Sequence, residues 1–259
     1  MSLLRINVHE NTGTIILNRP ERRNALSRDL LRALIEALGD LHLERRVRAV
    51  IITGSGSTFC AGMDLAEMRA TKESEDPRVQ WHDDAVLYLE LIEAMLRFPK
   101  PLIAAVNGPA VAGGAGLVLA CDIVVAAEDA RFGFPEARRG IVAGLVAPLL
   151  VFRIGAGHAA QLLLTGNLID AKEAHRIGAF HRLVSPEHTW LRAVELAGEC
   201  AACAPESLLL TKMLLNETIG ENMLTQLSAG AAASATSRTT EAAAEGLAAF
   251  LEKRPPKWL

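Results

Sequence analysis

Val47-Arg-Ala-Val-Ile-Ile-Thr53 runs directly into Gly54-Ser-Gly-Ser-Thr-Phe-Cys-Ala-Gly62-Met63-Asp64-Leu65. The first run is short and β-branched, as a buried strand requires, and the glycine-rich stretch behind it has the composition of a loop whose backbone can approach an anion. The same strand character returns at Leu102 to Val106 and at Asp122 to Ala126, each time after a helical stretch. That alternation is α/β order. A dinucleotide-binding fold is the obvious rival, but its glycine fingerprint fails: Gly54 and Gly56 need a third glycine where Phe59 stands.

Working outward, Leu3 to Val8 and Thr12 to Leu17 read as two strands of a hairpin turning at Glu10-Asn11. Ser27 is placed to cap a helix whose Leu30, Leu31, Leu34, Ile35, Leu38 and Leu41 recur at helical spacing. Trp81 to Phe98 reads as a long amphipathic helix, with Tyr88, Leu91, Ile92, Met95 and Leu96 near one face, ended by Pro99 and Pro101. Before it, Thr71 to Pro77 (TKESEDP) is expected to be a mobile loop. From about Ala147 the pattern is almost wholly helical, with starts at Asp170, Pro186 and Pro205 and a long alanine-rich run from Met223 to Phe250. The expected division is a core over residues 1–195 and a helical region over residues 196–259, part of it facing another subunit.

The chain has 259 residues, half of them hydrophobic, enough for one large core. Its formal charge of −3 comes from scattered residues, which argues against a nucleic-acid partner. The opening MSLLRINVHENTGTIILNRP reads as neither a signal peptide nor a membrane anchor, so no membrane association is expected and the cytoplasm is the expected compartment. Four cysteines are too few for a disulfide scaffold, and Cys200-Ala-Ala-Cys203, despite its redox spacing, reads as two small core residues. None of the seven histidines has metal-ligand spacing, so no metal site is expected.

Two further segments carry chemistry. Asn107-Gly-Pro-Ala-Val-Ala112-Gly113-Gly114-Ala115-Gly116 leaves a strand and enters an apolar helix. Amides at such a helix start have no partner within the helix and favour negative charge, so they suit the oxygen of a developing enolate; tight helix packing would use glycine equally well. Phe132-Gly-Phe-Pro135-Glu136-Ala-Arg-Arg-Gly140 sets a carboxylate among apolar residues, which raises its pKa and fits it for acid or base work. The plainer reading is a solvated glutamate paired with Arg138 or Arg139.

Taken in order, these segments resemble the enoyl-CoA hydratase/isomerase (crotonase) family. The likeness runs from Asn18-Arg19-Pro20 and Asn24-Ala25-Leu26, through FCAGMDL, NGPAVAGGAG and FGFPEARRG, to LLLTGNLIDAKEAHRIGAFHRLV and FLEKRPPKW near the C-terminus. It implies a crotonase-like spiral of ββα units followed by a C-terminal helical trimerisation region, assembled as a homotrimer or homohexamer. It also implies an acyl-CoA thioester as substrate, with coenzyme A part of that substrate and no separate cofactor. On the matching positions, the amides of Met63 and Gly113 hold the thioester oxygen and Glu136 moves the proton. Arg23, Ala25, Ala61, Asp64 and Leu65 lie along the CoA, and Phe250 and Lys253 reach it from the same or a neighbouring subunit.

Hydratases of the family use two glutamates, and at the first of these positions this chain has Gly116. Gly144 matches a backbone position that helps hold water, although Ala143 stands where proline is usual. Each oxyanion donor is worth about 3 kcal/mol in comparable sites. A single carboxylate then allows two reactions: hydration of a 2-enoyl-CoA, which is favoured slightly, or a shift of a 3-enoyl double bond. Gly116 speaks for the second. A dienoyl-CoA isomerase is nearly excluded, because its extra acidic groups fall at Gly116 and near Gly144. An acyl-CoA-binding scaffold without activity is the alternative of another class. The acyl group itself is not readable from the sequence.

Overall fold

The computed structural model describes residues 2–73, 75–219 and 221–258. β1 (Leu4–His9) and β2 (Thr12–Leu17) pair antiparallel with Leu4 opposite Leu17, and the turn between them puts Glu10 at φ 49°. α1 (Arg28–Leu43) starts where Ser27 Oγ accepts a hydrogen bond from Leu30 N, and it buries Leu30, Leu31, Leu34, Leu38 and Leu41 along one stripe. β3 (Ala49–Gly54), α2 (Leu65–Lys72), α3 (Pro77–Arg97) and β4 (Leu102–Val106) follow. The TKESEDP segment is therefore not a long loop. Thr71 and Lys72 close α2, Asp76 accepts from Val79 N to cap α3, and Pro77 takes the first helical position. Ser74 lies outside the described residues.

β5 (Ala110–Val111), α4 (Gly113–Ala120), β6 (Ile123–Ala127) and β7 (Arg131–Gly133) complete the first part of the chain. α5 (Ala147–Thr165), broken at Gly155 with φ 79°, leads to β8 (Leu168–Asp170), α6 (Ala171–Arg176) and β9 (Arg182–Val184). The stretch after Ala147 thus contains two short strands that hydropathy alone reads as helix. α7 (Thr189–Ala201), α8 (Pro205–Met213), α9 (Glu221–Ser237) and α10 (Glu241–Leu251) end the chain. The alanine-rich run splits in two because Thr240 caps a new helix by accepting from Ala243 N.

The larger sheet has the order β1-β2-β3-β4-β6-β9 and is parallel from β2 onward; β5-β7-β8 form a smaller one. The central strands are buried on both faces. Val50, Ile52, Ala104 and Val124 face the main core with α1, α3 and α4, while Ile51, Ile103 and Val125 face Ala193, Leu196 and Ala197 of α7. α7 runs through residue 195, and Met223, Leu227 and Ala231 of α9 join the main core. Buried Lys212 of α8 is neutralised by Asp122 at 2.8 Å, which ties the helical end to the sheet. Cys203, expected in the core, is exposed, and Cys200 is half-buried.

Candidate active site

The loop leaving β3 is held from several sides. The Asn24 amide donates to Ser55 O at 2.9 Å and to Thr58 O at 2.7 Å, while its Oδ1 accepts from Arg19 N. Leu26 N donates to Gly62 O and Asp64 N to Leu26 O, at 2.8 and 2.9 Å. Asp64 caps α2 by accepting from Ala66 N and pairs with Arg19 at 3.0 Å, which ties the loop to the chain entry at Arg19.

The Gly62 end of this loop packs against the start of α4. Gly62 has φ +90°, and a Cβ added there would sit 2.8 Å from the Ala112 Cβ and 3.3 Å from Gly113 N. Only glycine permits that approach. Ala112, at φ 54° and ψ −128°, is a non-glycine residue on the disfavoured side of φ, and its twist sets the direction of the Gly113 N–H at the start of α4. Among the described residues, neither Met63 N nor Gly113 N donates a hydrogen bond. Both residues line one cavity, and Gly113 stands at the N-terminus of α4, where a free amide favours negative charge.

Glu136 follows β7 and the buried Phe132 and Phe134. It is 8% exposed, and its Oε2 is shut from solvent with no hydrogen-bond partner. Burial pushes its pKa up to about 7, against the smaller opposing pulls of its own backbone amide and of Arg139. The solvated, ion-paired glutamate is thereby set aside. Arg138 turns away to Thr165 O and Asn167, and Arg139 stacks its guanidinium 4.2 Å over the Phe250 ring.

Gly116, where the resemblance implies a second glutamate in hydratases, is closed in by its neighbours. A Cβ at this position would lie 2.1 Å from Tyr88 Oη and 2.6 Å from Val146 Cγ1. The space is already filled. Tyr88 Oη donates to Gly113 O at 2.6 Å, and burial pushes the phenol pKa well above its ordinary value, so it is neutral at pH 7. The sequence reading placed Tyr88 on an apolar stripe and stopped there; the missed signal is that a buried tyrosine needs a partner for its hydroxyl. Gly144 packs back to back with Gly230, since a Cβ on Gly144 would be 2.2 Å from Gly230 O.

One cavity of about 610 Å³ lies among these elements. It brings together Met63, Gly113, Glu136 and Gly144, and its lining also includes Arg23, Ala25, Ala61, Asp64, Leu65 and Phe250. Lys253, beyond α10 at φ 55°, is exposed and outside the lining. The lining also includes Met68, Tyr88, Val146, Ser234 and Arg238, none of which the sequence reading singled out as a site residue, although it assigned the pocket walls to the Glu67 to Trp81 segment and the helical region.

Comparison with known proteins follows the same lines. The family model described as enoyl-CoA hydratase/isomerase matches residues 7–259. A Thermus thermophilus protein provisionally named enoyl-CoA hydratase is 44% identical over 96% of this chain and 97% of its own length. The crotonyl-CoA hydratase of Syntrophomonas wolfei is 36% identical over 96% of this chain and 95% of its own. Among solved structures, an enoyl-CoA hydratase/isomerase from Xanthobacter autotrophicus superposes with a TM-score of 0.89 at 30% identity, covering 97% of this chain and 93% of that one.

Proposed function

This chain belongs to the enoyl-CoA hydratase/isomerase (crotonase) family of enzymes, and from that premise we propose that it hydrates a 2-enoyl-CoA with Glu136 as its proton-transfer group. The observation that carries the reading is one cavity holding two free amides and a buried carboxylate with an unpartnered oxygen. The thioester oxygen sits on Met63 N and Gly113 N, with the CoA passing Ala61, Leu65 and Ala25 toward Arg23 at the wall of the cavity. Glu136 takes a proton from water as the oxygen bonds to C3. Electrons move through C2 to the thioester oxygen, where the two amides hold the enolate. The same carboxyl then returns the proton to C2, so water adds across the double bond and Glu136 ends as it began.

A pKa near 7 suits this double use, because the group is easily ionised to accept a proton and easily protonated to give it back. The second reading, double-bond isomerisation, draws on one specific observation: where a second carboxylate would grip water, Tyr88 fills the space and directs its proton to Gly113 O. Its remaining lone pairs can accept a hydrogen bond donated by a water O–H, so the phenol is a weaker substitute for the missing acceptor and not a bar to hydration. The test is turnover of crotonyl-CoA, followed by loss of the enoyl thioester absorbance. Glu136→Gln should lower it by about a hundredfold or more. Near-normal turnover in that variant would remove Glu136 from the reaction.

Assembly as a homotrimer or homohexamer belongs to the same proposal. Val151 and Leu164 of α5, Leu210 and Met213 of α8, and the adjoining Leu214 and Leu215 are large apolar side chains left exposed in the single chain, as a surface covered by further subunits would be.

A further inference from the structure

The large cavity accounts for Glu136 but leaves three donors unexplained. Arg238 Nε, Arg238 Nη1 and Trp81 Nε1 are all shut from solvent without a hydrogen-bond partner. Both side chains border a smaller cavity of about 90 Å³, and Arg238, Arg139, Ile141 and Met68 border both it and the large one. The small cavity is otherwise largely apolar, with room for the end of a chain and not for a cofactor. A buried guanidinium is costly unless an acceptor satisfies it.

The nearest carboxylate cannot serve. Asp84 is close enough to be felt by Arg238, but its Oδ1 accepts from Arg28 Nε at 2.6 Å and Gln80 Nε2 at 2.9 Å, and its Oδ2 accepts from Arg28 Nη2 at 2.9 Å. Arg28 neutralises it. Lys72 and Arg139 border the same small cavity, and no acidic side chain does. The group that fits is an anion brought in from the large cavity, with at least two oxygens to meet a guanidinium edge and an indole N–H.

We propose that Arg238 and Trp81 form a recognition site for a carboxylate at the far end of the acyl chain, so that the preferred substrate is the CoA thioester of a dicarboxylic acid. The proposal rests on the acyl-CoA reading given above and narrows it. An alkyl-ended chain would leave three donors unsatisfied, and shut-off donors are what a site uses to reject a ligand that lacks the matching group. Ser234, buried on α9 four residues before Arg238, lines the large cavity beside the path.

The test separates binding from reaction by using saturated thioesters, which cannot turn over. Adipyl-CoA and hexanoyl-CoA, with glutaryl- and suberyl-CoA to vary length, are titrated into the intact protein by calorimetry. At least one dicarboxylic thioester should bind tenfold to a hundredfold tighter than its alkyl counterpart of equal length. Arg238→Met should abolish or invert that preference, and Trp81→Phe should reduce it. Equal or tighter binding of the alkyl thioesters at every length by the wild-type protein would overturn the proposal, whether or not the variants fold. So would an Arg238→Met protein that loses the same factor on both series. Retained preference in a protein that hydrates nothing would support the Arg238 site while overturning the reaction. Absence of affinity for any acyl-CoA would overturn the reading of the whole cavity and this proposal with it.

Discussion

Changing Glu136 to glutamine should make the protein more stable and less active at once, and the size of the first effect follows from the site. The carboxyl's pKa rises from 4.5 to about 7 through burial. A difference of that size corresponds to about 3 kcal/mol of unfavourable ionisation in the folded state. Because the folded pKa is the higher one, the stabilising effect of the bound proton is complete below pH 4.5 and is lost as pH rises to about 7. Glutamine keeps the shape and removes the charge. The stability difference, variant minus wild type, should therefore rise by about 3 kcal/mol from pH 4 to pH 8 and stay level above. Urea unfolding at one fixed protein concentration, run at each pH on both proteins, reads this directly. A difference that stays flat with pH would refute the claim that Glu136 is ionised at a cost in the folded protein, and with it the explanation of its catalytic poise.

Activity of the wild type should rise with pH as Glu136 ionises and level above about 7, seen as kcat/KM for crotonyl-CoA; a profile flat from pH 5 to 8 would contradict this. Gly116→Glu should not restore a hydratase pair, because its Cβ meets Tyr88 Oη and Val146. It should cost about 3 kcal/mol or more in urea unfolding, and the added change Tyr88→Ala should recover part of that loss; strictly additive costs would show that the two positions do not compete for one space. Light scattering at micromolar concentration should find a trimer or a hexamer, and a monomer would contradict the role given to the exposed leucines of α5 and α8.

Much of this was readable from the sequence where local chemistry is strong. The β-branched runs became β3, β4 and β6, Ser27 caps α1, and the glycine-rich loops set Met63 and Gly113 beside one cavity with Glu136. β5, β7, β8 and β9 escaped notice because two or three residues are too short to show any alternation. The break in the alanine-rich run and the capping of α3 had local signals, Thr240-Glu241 and Asp76-Pro77, that were outweighed by composition. Tyr88 and Arg238 are of a different kind. Tyr88 sits on α3 and Arg238 just past the end of α9, in sequence that looks ordinary, and only packing against α4 and the neighbouring cavity brings the phenol to Gly116 and strands the guanidinium without a partner. No periodicity encodes such a meeting.

The claim at the centre is that water is a reactant, and isotope labelling tests it most directly. Incubating 2-enoyl-CoA thioesters of several lengths, alkyl-ended and carboxylate-ended, in ¹⁸O-labelled water should give 3-hydroxyacyl-CoA carrying the label at C3. Rapid conversion of 3-enoyl- to 2-enoyl-CoA, with no labelled hydroxy product from any thioester, would contradict the hydratase account and make the enzyme an isomerase.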